Sequence, residues 1–87
     1  MKDVATFRAR IAEADRALLT AINKRIELVR DLHEYKQAEG IPLQDPDREQ
    51  QLVVELQAAN KGPLSSEGVA ALFRHVLDLT RRELHGA

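Results

Sequence analysis

Arg25 and Lys36 place two positive charges along what is otherwise the apolar edge of a long helical stretch. The charged run Asp45-Pro46-Asp47-Arg48-Glu49 follows shortly afterwards. Ile22, Arg25, Val29, Leu32 and Lys36 are spaced by threes and fours, the steps of one helix face. The two cations are eleven residues apart, so both leave the helix in similar directions from points about 16 Å apart. Long side chains reaching toward each other across that gap can hold a small dianion between them. Two such charges in a core without a ligand would be costly. Taken singly, each residue has an ordinary reading. An arginine at a helix edge snorkels or pairs with a carboxylate, Asp45-Pro46 is a common helix start, and Arg48-Glu49 is a solvated face. Arg25, Lys36 and Arg48 together are less easily explained that way.

The elements that must position these groups read as three helices. The first is expected from about Val4 to Ala38, carrying Phe7, Ile11, Ala14, Leu18, Ile22, Ile26, Val29 and Leu32 inward and stopping near Gly40 and Pro42. Glu27, Arg30, Asp31 and Tyr35 decorate its outer side. Asp45 is a good N-cap with Pro46 at the first helical position. The second helix turns Leu52, Val53, Leu56 and Ala59 inward and ends around Asn60-Lys61-Gly62-Pro63. Ser65 or Ser66 caps the third, whose inner face is Val69, Leu72, Phe73, Val76, Leu77 and Thr80. The Arg81-Arg82 pair is expected to face solvent. No stretch alternates as a strand does, so the fold class is all-α.

Composition narrows the possibilities. Eighty-seven residues make a single domain, 1–87, at the size where one core is only just sufficient. Net charge is −1 and the sequence pI about 6.3, without the basic excess expected of a nucleic-acid-binding module. Scattered aromatics offer no platform for stacking bases. Cysteine is absent, which excludes disulfides and thiol chemistry and fits a reducing cytoplasm, the expected location. The start, Met1-Lys2-Asp3-Val4, lacks an apolar signal segment and no run reaches membrane-spanning length, so no membrane partner is expected. His33, His75 and His85 lack ligand spacing, so surface or packing roles are expected and no metal site.

The first helix is awkwardly long. Its residues would span roughly 50 Å, whereas a compact globule of this length has a radius of gyration near ~12 Å. A stripe sustained from Phe7 to Leu32 calls for a long partner, and a second copy lying antiparallel supplies one. The expected architecture is therefore an intertwined antiparallel helical homodimer. Arg8 lies seventeen residues before Arg25, about 25 Å along the same rod. It cannot serve the same small ligand as Arg25 within one chain. In an antiparallel pair, the start of one helix approaches the middle of the other, and a shared site can collect Arg8 from the partner.

The ordered set Phe7-Arg8-Ala9-Arg10-Ile11, Asp15, Leu18-Leu19, Arg25, Glu27-Leu28, Lys36 and Asp45-Pro46-Asp47-Arg48-Glu49 resembles the all-helical (AroQ-type) chorismate mutases. The resemblance covers nearly the whole chain, from about Ala5 to Leu84. The linker Asn60-Lys61-Gly62-Pro63-Leu64 further resembles the mutase domains fused to certain DAHP synthases, which sense prephenate or chorismate. What the resemblance implies is a Claisen rearrangement of chorismate to prephenate in aromatic amino-acid biosynthesis, an isomerase reaction needing no metal and no cofactor. It implies that Arg8 of the neighbouring subunit and Arg25 grip substrate carboxylates. Lys36 would reach a carboxylate and the ether oxygen, and Arg48 would support the carboxylate end. Asp45 and Glu49 would meet the ring hydroxyl, and Thr80 would occupy a position often held by a small hydroxyl residue.

One departure stands out. One turn beyond Thr80, where the family usually carries a Gln or Glu that donates to the ether oxygen, this chain has Leu84, which offers no donor. Glu83 beside it is the candidate replacement, and it must be protonated to donate. Weak to moderate activity is the expectation. The alternatives are a weakly active regulatory domain that binds prephenate or chorismate to control a DAHP synthase, a related isochorismate pyruvate lyase, and a simple interaction bundle.

Overall fold

In the computed structural model, which describes residues 3–85, the chain forms three α-helices: α1 Val4–Glu39, α2 Pro46–Ala59 and α3 Ser66–His85. Each boundary has a local cause. The Asp3 carboxylate accepts from the Thr6 backbone N–H at 2.8 Å and caps α1. Gly40 ends it in the left-handed region at φ 69°, a conformation that costs glycine little, and Ile41 N–H closes back on the Lys36 carbonyl at 2.8 Å. Asp45 caps α2 through Arg48 N–H at 3.1 Å, with Pro46 at the first helical position. Ser65, of the two expected serines, caps α3: its hydroxyl accepts from Gly68 N–H at 3.0 Å.

α3 is the central element, with α2 packed on it and the second half of α1 alongside. The connection from Asn60 to Ser65 folds α2 and α3 into an antiparallel hairpin. Gln57 bonds the Ser66 carbonyl near the loop, and Glu49 meets Arg81 at the open end. α1 runs parallel to α3, since Arg25 meets Thr80 and His33 meets His85 further along. The buried residues among those described are Val69, Ala70, Val76 and Thr80, all on α3.

α1 buries nothing fully. The molecule measures 58 × 24 × 21 Å with a radius of gyration of 16.3 Å, well above the ~12 Å of a compact chain of this size. Phe7 is 48% exposed, Ile11 59% and Leu18 56%, although they lie on the apolar stripe. Leu72 and Ala59, expected to face inward, are also exposed. Leu72 shares an open apolar groove with Leu18, Ile22, Val76 and Leu79, between α1 and α3. These positions face inward only if something other than their own chain covers them. No helix among the described residues is long and apolar enough to cross a membrane.

Candidate active site

Where α1, the 41–45 loop, the start of α2 and the end of α3 meet, a cavity of about 310 Å³ opens. That is the lower end of the range for small-ligand sites. Arg25 and Lys36 enter from α1, Asp45, Arg48 and Glu49 from the start of α2, and Thr80 from α3. Six residues expected from the sequence thus line one cavity. Val29, Leu32, Leu43, Leu52 and Leu77 supply its apolar wall. Its charged groups are four cations, counting Arg81, against the two carboxylates Asp45 and Glu49. The positive excess suits a dianion.

Each cation is held differently. Arg25 is half-buried, and its Nη1 donates to Thr80 Oγ1 at 3.0 Å. Burial lowers its pKa, which the nearby Glu49 carboxylate partly offsets; the guanidinium stays charged regardless. Thr80 in turn donates to the Val76 carbonyl at 2.7 Å, so the buried hydroxyl has both a donor and an acceptor. Lys36 Nζ lies 3.5 Å from the Leu43 carbonyl, a long contact that keeps the ammonium over the cavity. Arg48 pairs with Glu55 at 3.2 Å with both side chains more than half exposed. Such a pair is worth little, so Arg48 can be recruited by a ligand at small cost.

Two expected residues do not line this cavity. Arg8 is exposed on the outer half of α1. Glu83 is exposed as well, because α3 keeps its regular turn through His85 instead of shifting to bring position 83 inward. Leu84 is half-buried. Two other residues that line the cavity were not expected there. Arg81 is solvent-exposed, as read from the sequence, yet its Nη1 turns onto both Glu49 oxygens, at 3.0 and 2.7 Å; its exposed neighbour Arg82 pairs with Asp78 at 3.1 Å. The available signal was that Arg81 lies one turn after Leu77, on the same helix face. His33 stacks on His85 at 5.2 Å between ring centroids, and its Nδ1 is buried without a partner. Desolvation lowers its pKa, as do His85 and Lys36.

The family of chorismate mutase type II matches residues 7–84. This chain belongs to that family. The chorismate mutase of Thermus thermophilus superimposes in its form I with a TM-score of 0.87 at 25% identity, covering 91% of this chain and 99% of that one. Its form II gives 0.85 at 25% identity, over 91% and 90% of the two chains. The all-α fold is that of the helical chorismate mutases, and the activity is that of an isomerase acting on chorismate.

Proposed function

We propose that the chain rearranges chorismate to prephenate by conformer selection and electrostatic stabilisation in this cavity. The reaction is intramolecular: the ether C–O bond breaks as a C–C bond forms, and no proton or group leaves the molecule. The protein's task is to hold the reactive chair-like conformer and to favour negative charge developing on the ether oxygen. Arg25, fixed by Thr80, grips one carboxylate through charge-assisted hydrogen bonds. Lys36 serves a carboxylate and the ether oxygen, Arg48 leaves Glu55 to support the carboxylate end, and Asp45 and Glu49 receive the ring hydroxyl. The observation that carries this reading is the gathering of Arg25, Lys36 and Arg48, from two helices, around one small cavity.

Two copies complete the site. The apolar outer half of α1 lacks cover from its own chain, and an antiparallel partner both covers it and delivers its own Arg8. A second reading, binding of prephenate or chorismate with slow turnover in control of a DAHP synthase, is favoured by Leu84, which leaves one turn beyond Thr80 without a donor.

Loss of chorismate absorbance with the purified chain tests the proposal. Arg25→Ala and Lys36→Ala should each lower kcat/KM by on the order of a hundredfold or more. Turnover equal to the parent in both variants would show that the chemistry happens elsewhere.

A further inference from the structure

Glu49 lies between two arginines. Its field reaches Arg25, yet the two form no ion pair: Arg25 turns to the Thr80 hydroxyl, while both Glu49 oxygens are held by Arg81 Nη1 at 3.0 and 2.7 Å. Glu49 sits in the first turn of α2 and Arg81 near the end of α3. Their contact therefore closes the hairpin at the end opposite its loop. Glu49, Leu77 and Arg81 line both this cavity and a second one, so the ion pair borders the two. A free carboxylate here would have an obvious alternative partner. Swinging to Arg25, it would neutralise the cation that the substrate needs, and a charge-assisted pair in a partly dry cavity is strong enough to compete with a ligand.

We infer that Arg81 is a positioning residue: it clamps Glu49 away from Arg25, keeping that arginine free for a substrate carboxylate and aiming Glu49 at the hydroxyl. The inference rests on the proposed function. Removing the clamp should therefore weaken binding more than it slows the bound reaction. It should also have no effect once the competing charge is gone.

The test measures chorismate kinetics and calorimetric prephenate binding for the parent, Arg81→Gln, Arg81→Lys, Glu49→Gln and the double variant Arg81→Gln/Glu49→Gln. Arg81→Met is the replacement if Arg81→Gln does not fold. Expected are a KM and a prephenate Kd raised about tenfold in Arg81→Gln, a loss of about 1.4 kcal/mol in binding, with kcat changed much less. Arg81→Lys should stay near the parent, and the double variant should have the KM of Glu49→Gln alone, because Arg81 has no competing charge left to restrain. An unchanged KM in Arg81→Gln, or a double variant whose KM stands as far above that of Glu49→Gln as Arg81→Gln stands above the parent, overturns the inference while leaving the proposed function standing. A parent that neither converts chorismate nor binds prephenate overturns both.

Discussion

Arg25 Nη1 meets Thr80 Oγ1 at 3.0 Å, and this bond links α1 to α3 inside the candidate site. It aligns the arginine before any ligand arrives. Thr80, 6% exposed, spends its own proton on Val76 and so presents a lone pair to the guanidinium. An arginine oriented in advance loses less freedom on binding than one recruited from solvent. The role proposed for Arg25 rests on that alignment.

Mixed subunits test the shared site. Arg8→Ala and Arg25→Ala should each be nearly inactive alone. Mixed in equal amounts after unfolding and refolding together, they should regain about a quarter of parental activity, because half the pairs are hybrids with one intact site each. No recovery in the mixture, with each variant folded and dimeric, would mean Arg8 does not act across subunits.

Leu84 offers the clearest gain of function. Leu84→Gln places a donor one turn after Thr80 and should raise kcat by on the order of ten- to a hundredfold. A rate unchanged or lower would assign the ether oxygen to another group, with Lys36 the first candidate.

The α2 cap separates structure from binding. Asp45→Ala removes the acceptor for Arg48 N–H and should cost about 1 kcal/mol, lowering Tm by about 4–8 °C for a domain of this size. Asp45→Asn keeps a capping oxygen and should melt near the parent while KM for chorismate rises. Equal melting of all three proteins would deny Asp45 its capping role.

His33 predicts the acid side of the stability profile. Its pKa is lowered in the folded protein by desolvation, with His85 and Lys36 adding repulsion. The unfolded chain therefore takes up the proton first. Stability is unaffected by this residue above the unfolded value of about 6.5 and declines as pH falls from there toward the folded pKa. Melting temperatures measured between about pH 8 and 5 should fall less steeply for His33→Gln than for the parent. Parallel curves would remove His33 as the cause.

The sequence disclosed more of the helices than of the cross-helix contacts. Spacing by threes and fours placed Arg25 and Lys36 on one face, and Asp45-Pro46 announced the helix start that brings Arg48 and Glu49 beside them, since both signals are local. The contact of Arg81 with Glu49 was hidden because the two are thirty-two residues apart, and an exposed charge announces no particular partner. His33 was hidden in the same way: its stacking partner His85 belongs to another helix, and no spacing along the chain announces such a meeting. Leu72 pointed inward by periodicity, which identifies an apolar face without revealing whose side chains cover it.

The bare outer half of α1 has a kinetic corollary in the proposed pair. Diluting the protein should extinguish turnover and structural order in step, and a chain altered along Phe7, Ile11 or Leu18 should lose activity through loss of the pair. Catalytic output would then scale with the square of chain concentration at the dilute limit, which makes expression level itself a control on flux.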